Sequence, residues 1–365
     1  MPLSSDGFER PETIELSGSP REIGLKHGRF LAPKIRSQIQ VYTAMFRQTS
    51  HLSWPDVRII AEAYSETIRK LTPDLHVEMA GIADGADLEL LDIVALNCRS
   101  EIALGLFSDG CTSLGWKRQS GEVLLAQNWD WTERVKENLV MMSIEQPKKP
   151  KIYMVTEAGI IGKIGFNTSS VGTNLNAIRA RPTDPSKLPI HVALRVCLES
   201  SSTASAISTL ESLGGIASSA HILLADASGP ISLELSPQGN TYIEPSIRGI
   251  ICHTNHFIQN RFVQEPEWLS GSPIRLARCQ QLTTELDESG IKVDAEVLRE
   301  RVFSDGFNKP EAICCEEDPK RAVETRSSTL FNIVMKFQTG VDASGEVVWG
   351  RPGSGEEGGV LRMPW

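Results

Sequence analysis

Apolar positions recur three and four residues apart over the first hundred residues. Across residues 21–47, Ile23, His27, Phe30, Leu31, Ile35, Ile39 and Met45 trace one face of an amphipathic helix, and Pro33 predicts a break or bend in it. Residues 57–71 and 88–104 repeat the pattern, with Pro55, Pro73 and Gly85 as punctuation. From Cys111 to Ile178 the period shortens. CTSLGW, EVLLAQNW, NLVMMSIE, KIYMVTE and the paired runs 160–166 and 171–177 read as strands, turned at Gly121, Pro147, Gly159 and Gly172. Helices are expected at 188–200 and 204–213, and strands at 221–225, 231–235 and 250–254. Helices return at 273–287 and 294–303, and a last strand pair fits 329–337 and 346–349. Separate runs of strands and helices predict an α+β chain, with sheets packed face to face and helices outside. The pattern changes character near Asp109, just before the first expected strand.

A chain of 365 residues with 40% hydrophobic content can bury a sizeable core, as one large domain or two small ones. The net charge of −9 and the lack of a Lys/Arg-rich tract argue against a nucleic-acid partner. Apolar runs such as 102–107 and 222–225 fall far short of the ~20 residues that span a membrane. Residues 1–10 are polar and acidic, unlike a signal or transit segment, and the final Arg362-Met363-Pro364-Trp365 is not a peroxisomal address. A cytoplasmic protein is expected. The cysteines stand at Cys98, Cys111, Cys197, Cys252, Cys279, Cys314 and Cys315. Their odd number, irregular spacing and lack of a C-x-x-C argue against a disulfide framework or zinc site. Most read as small buried apolar residues.

Cys111 calls for more. Read alone, Asp109-Gly110-Cys111-Thr112-Ser113 fits a turn followed by a buried cysteine. It also fits a bond that can break itself. Glycine removes the steric barrier to attack by the thiol on the preceding carbonyl, and it permits unusual backbone angles. Hydrolysis then frees the α-amine of Cys111, whose pKa of ~8 suits a general base for the adjacent thiol. Asp130 ends the next expected strand. It is either a turn-capping residue or a carboxylate that an antiparallel hairpin brings beside Cys111 to hold that amine. Asn255, in His253-Thr254-Asn255-His256, offers amide donors to an oxyanion, while the flanking histidines leave open a metal pair or a Cys–His couple. Arg326 can be a surface charge or a fork for a substrate carboxylate. Asn174 and Asn176 are further potential donors.

Taken in order, RSEIALGLFSDGCTS, AQNWDW, TEAGIIGKIGFNTSSVGTNLNA, GIASSA, HTNH and RSSTLFNI, with PREIGLKHG near the start, resemble the isopenicillin N acyltransferase-like family of the Ntn hydrolase superfamily. The likeness runs from about residue 20 to about residue 352. The C-terminus is closer to the cytosolic fungal branch that lacks a peroxisomal signal. The resemblance implies a four-layer αββα sandwich, cut before Cys111 into an α subunit of residues 1–110 and a β subunit of residues 111–365 that together form one domain. It implies Cys111 as nucleophile, Asp130 as the residue that positions its amine, and Asn255 in the oxyanion hole. It implies Arg326, Ser219 and Ser113 as substrate-binding residues. Ser113 and Thr325 each replace one hydroxyl residue of the penicillin enzyme by the other.

The expected activity is acyl transfer in secondary metabolism, from an acyl-CoA or amide donor to an amine such as an amino acid, a peptide or a β-lactam nucleus. No resident cofactor or metal is expected, with acyl-CoA as a possible donor substrate, and no membrane partner. The alternative is an amidohydrolase on the same scaffold, which added amine would distinguish by product partition. A catalytically silent scaffolding protein is a third reading, against which Gly110, Cys111, Asp130, Asn255 and Arg326 together weigh.

Overall fold

A computed structural model describes residues 11–103, 110–267, 271–355 and 357–365. Leu104, the rest of the apolar run to Phe107, Asp109 and the first ten residues lie outside the described residues. The described residues open with β1 (Glu12–Ser17) and α1 (Pro20–Ser50), followed by α2 (Trp54–Leu71), α3 (Pro73–Ala86), α4 (Leu90–Asn97) and α5 (Arg99–Ala103). Strands β2 (Thr112–Lys117), β3 (Val123–Trp131), β4 (Leu139–Glu145), β5 (Ile152–Glu157), β6 (Ile164–Asn167) and β7 (Gly172–Ala177) come next. Then follow α6 (Ile190–Leu198), α7 (Thr203–Ser212), β8 (Ala220–Asp226), β9 (Gly229–Leu235), β10 (Thr241–Ile243) and β11 (Ile250–His253). Finally α8 (Ser272–Ser289) and α9 (Ala295–Leu298), which runs on into a π turn, precede β12 (Ser328–Gln338), β13 (Val341–Trp349) and β14 (Val360–Met363).

The fold is α+β. Among the described residues one sheet runs β1-β4-β5-β6-β7-β8-β9-β10 and a second runs β11-β2-β3-β12-β13-β14. Alternation along β3 shows how the sheets stack. Val123 and Leu125 join the larger core with the first sheet, while Leu124 and Ala126 join a second core with α8 and Val302. Each large apolar side chain so buried contributes about 1.5–3 kcal/mol. Amides also cross between the sheets. The Gln127 amide donates to Leu175 O (2.6 Å) and accepts from Leu175 N (3.2 Å), and Asn174 Nδ2 donates to Ala126 O (2.9 Å). Helices α1 and α6 pack on the side of the first sheet, and α8 on β2 and β11 of the second.

Several expectations need correction. The first hundred residues are not all helical, because β1 pairs in parallel with β4, from Glu12 opposite Val140 to Ser17 opposite Glu145. That strand ties the stretch before Cys111 into the same sheet as the stretch after it. Helix α1 runs unbroken through Pro33. Pro33 is exposed, so the carbonyl it leaves unbonded faces water. Helix α3 arises where Pro73 and Gly85 read as punctuation, and it carries both Gly81 and Gly85. These glycines meet Gly24 and Gly28 of α1 at backbone contact: a Cβ on Gly24 would lie 2.1 Å from Glu78 O, and one on Gly28 2.2 Å from Ile82 O. A capping box at Ser19 and Glu22, with Pro20 at the first turn, starts α1. Among the described residues no helix is long and apolar enough to cross a membrane.

Candidate active site

Strands β2 and β3 pair antiparallel, with Thr112 opposite Asn128. The register carries Cys111 alongside the end of β3. Its buried thiol accepts from Asp130 N at 3.5 Å and donates to Asp130 O at 3.7 Å. Gly110 packs on the Asp130 side chain so closely that a Cβ would lie 2.6 Å from Oδ2. Its φ lies outside the left-handed range, so this position requires glycine for close approach and not for an unusual backbone angle. Asp130 Oδ1 accepts from Thr329 Oγ1 at 2.6 Å, and the same hydroxyl accepts from Cys315 N at 3.0 Å. Thr329 therefore orients the carboxylate. A cleft beside Gly110 is bounded by Arg275, Cys315, Arg321 and Ser327.

Across the sheet interface, Asn176 Nδ2 donates to Cys111 O at 2.9 Å. Its Oδ1 accepts from Ser113 Oγ at 2.5 Å and faces His221 Nδ1 at 2.9 Å. His221 stacks on His253 with ring centroids 3.5 Å apart. Burial pushes the His221 imidazole well below its ordinary value, and His253 adds to this, so His221 is neutral. The ring nitrogens of His253 face Glu234 Oε1 and Thr254 O, each at 2.8 Å. His256 Nδ1 meets Ser272 Oγ at 2.8 Å, so both histidines of HTNH help to hold the loop. Among the described residues no cluster of His, Cys, Asp and Glu is arranged to hold a metal ion.

Asn255 follows β11. Its backbone N–H donates to Ser272 Oγ (2.7 Å) and its Nδ2 to Ala177 O (2.9 Å), which leaves the second amide hydrogen. Arg275, buried on the first turn of α8, reaches both halves of the site. Nη1 donates to Cys111 O at 2.7 Å and to Thr112 Oγ1 at 3.2 Å, while Nη2 donates to Asn255 Oδ1 at 3.0 Å. Behind Trp129, the Lys163 ammonium sits 3.7 Å from the ring centroid and pairs with Glu157, which Arg99 also meets at 2.9 Å. Burial lowers Lys163 to about 8. Burial opposes the Glu157 charge, but Arg99 and Lys163 outweigh it and hold the carboxyl well below its usual range.

The structure therefore brings Gly110, Cys111, Ser113, Asp130 and Asn255 into one connected network. Ser219 is buried just before β8, and its Oγ has no hydrogen-bond partner among the described residues. Arg326 is turned elsewhere: Nε donates to Arg321 O (3.0 Å), Nη2 to Pro319 O (2.9 Å), and Nη1 lies 4.0 Å from Glu317. Sequence reading missed Arg275, His221 and Thr329. Nothing in the local pattern marks Arg275, which sits within an ordinary helix start, whereas Thr329 lies within RSSTLFNI, a motif already singled out.

The family described as acyl-coenzyme A:6-aminopenicillanic acid acyl-transferase matches residues 116–341. The acyl-coenzyme A:6-aminopenicillanic-acid-acyltransferase 40 kDa form of Emericella nidulans is 35% identical over 352 residues, covering 95% of each chain. Among solved structures, a penicillin V acylase from Agrobacterium tumefaciens aligns with TM-score 0.38 and 14% identity, over 69% of this chain and 91% of that one.

Proposed function

The chain belongs to the acyl-coenzyme A:6-aminopenicillanic acid acyl-transferase family, and on that premise we propose that it is a self-cleaving cysteine enzyme passing an acyl group through a Cys111 thioester to an amine. The observation that carries the reading is the Gly110–Cys111 junction laid against Asp130, with the thiol 3.5 Å from Asp130 N. In maturation the thiol attacks the Gly110 carbonyl and the acyl group moves from nitrogen to sulfur. Water then hydrolyses the thioester, leaving a Gly110 carboxylate and a free Cys111 α-amine. Residues 1–110 become the α subunit and residues 111–365 the β subunit of a four-layer αββα Ntn-hydrolase sandwich.

In turnover the α-amine, held by Asp130, takes the thiol proton. The thiolate adds to the carbonyl of an acyl-CoA or amide donor, and the spare N–H of Asn255 meets the oxyanion. Collapse expels the CoA thiol or amine with that proton. An acceptor amine then attacks the thioester, the amide forms and the Cys111 thiol is restored. Water as acceptor gives hydrolysis. Arg326 would release its loop carbonyls to engage an acceptor carboxylate, and Ser113 and Ser219 would complete the substrate-binding set. No resident cofactor is needed, since CoA enters and leaves with substrate. The seven free, buried cysteines suit a reducing cytoplasm.

Intact-mass measurement tests this directly. Two fragments are expected, the larger beginning Cys-Thr-Ser-Leu-Gly. Cys111→Ala should stay uncut, while Cys252→Ala should cleave. The mature enzyme, incubated with hexanoyl-coenzyme A, should carry an acyl mass on Cys111 that 6-aminopenicillanic acid or water discharges. A single uncut chain after long incubation, or acylation at another residue, sinks the reading.

A further inference from the structure

We propose that Arg275 is a positioning residue for acyl transfer, fixing which way the Asn255 amide faces while pinning the backbone of Cys111. This rests on the function proposed above. An asparagine amide is nearly symmetric in shape, but its two ends have opposite polarity. Turned one way Asn255 offers N–H to a developing oxyanion, and turned the other way it offers an oxygen that repels it. An arginine donates and never accepts, so the end that faces its guanidinium must be Oδ1. Arg275 Nη2 lies 3.0 Å from Asn255 Oδ1, and the opposite end donates to Ala177 O at 2.9 Å. Those two contacts leave the second N–H of Asn255 as the donor available for chemistry.

The same guanidinium holds Cys111 O at 2.7 Å through Nη1. One rigid planar fork thus sets the separation between the nucleophile's main chain and the oxyanion donor. That separation must be held to within a fraction of an ångström for the donor to meet charge where it develops. Arg275 is 2% exposed, so its position is set by packing at the start of α8. The first turn of α8 also supplies Ser272 Oγ to Asn255 N at 2.7 Å, so backbone and side chain of Asn255 are held from one helix end. A lysine here would keep the charge but offer a single point in place of the fork. Arg275 acts through its contacts to Asn255 and Cys111.

A double-mutant cycle on cleaved enzyme separates this role from a merely structural cation. Hexanoyl-coenzyme A and 6-aminopenicillanic acid serve as probes, and released CoA thiol is the readout. Arg275→Lys in the wild-type background is expected to lower kcat about tenfold or more with KM changed less than about threefold. In the Asn255→Ala background the same substitution should cost less than about threefold, because the amide it orients is gone. Arg275→Gln, which keeps an N–H for Cys111 O, gives a second reading and should show the same non-additivity. Equal losses in both backgrounds, or a Lys variant with wild-type kcat, would overturn the proposal. So would failure of both variants to accumulate as folded protein, which would make Arg275 a structural cation. Absence of any Cys111 thioester in the wild-type enzyme instead defeats the underlying function, and the mass measurement tells the two failures apart.

Discussion

The Cys111 thiol meets the main chain of Asp130 because a two-strand register puts them side by side, and a single hydroxyl then sets the angle of the carboxylate. Thr329 Oγ1 serves both Asp130 Oδ1 and Cys315 N. Thr329→Val removes that bridge at nearly constant volume, taking one donor from Asp130 Oδ1 and one acceptor from Cys315 N. We expect the first-order rate of self-cleavage to fall about tenfold, read from band intensities over time. An unchanged rate would mean that Asp130 needs no orienting partner. Asn255→Ala should lower kcat about a hundredfold with little change in KM, since its donor is called on mainly in the transition state. Normal turnover by cleaved Asn255→Ala removes it from the oxyanion role. Arg326 is the residue whose placement departs most from its expected use, because its guanidinium rests on the carbonyls of Pro319 and Arg321. Arg326→Ala should raise KM for carboxylate-bearing acceptors and spare neutral ones, with Arg326→Lys recovering part of the loss. Equal losses for charged and neutral acceptors would show it to be a brace for the 317–321 loop.

At the scale of elements, the sharpest constraint is the contact of α1 with α3. Glycine is usually unfavourable within a helix, by about 1 kcal/mol relative to alanine. Here the sign reverses, because a Cβ on Gly28 would lie 2.2 Å from Ile82 O, and backbone cannot yield as a side-chain tip can. Gly28→Ala should destabilise the protein by about 1–3 kcal/mol, measured as a lower urea midpoint with an unchanged slope. Gly359→Ala is the control: among the described residues, its two chain neighbours aside, no atom lies within 4 Å of its added Cβ, so it should be near neutral. If the two variants unfold together, the helices do not meet as described.

Over the whole molecule, buried neutral histidines give stability a pH sign. Burial lowers His27 to about 3, and Gly159 N donates to its Nε2 at 2.9 Å, so the ring must be neutral there. Burial likewise pushes His191 and His221 well down. An unfolded histidine titrates near ~6.5. Below that pH the unfolded chain binds protons that the folded chain refuses, so the histidine contribution is full above about 6.5 and is lost as pH falls. Glu78 and Glu101, raised by burial, act in the opposite sense in the acid range. His27→Gln keeps an acceptor for Gly159 and cannot titrate. Its urea midpoint should therefore depend less on pH between 7 and 5 than that of the wild type, and an identical slope would mean His27 plays no part in acid sensitivity.

What the sequence determined by itself is mostly local. The alternation in β2 and β3, the helical faces of α1 and α2 and the turn glycines follow from periods that short stretches carry on their own. The ordered motifs pointed to Cys111, Asp130 and Asn255, and pairing across one hairpin is enough to place the first two together. Strand β1, the helix α3 and the uninterrupted α1 needed the tertiary structure, because their stability comes from partners far along the chain. Ile14 and Leu16 are buried only once β1 lies beside β4, and Gly81 and Gly85 favour helix only once α1 lies against them. The same holds for Arg275, 164 residues from Cys111 along the chain. A guanidinium has no pattern that says whether it will face water or a buried carbonyl, and packing of α8 against β2 and β11 decided it.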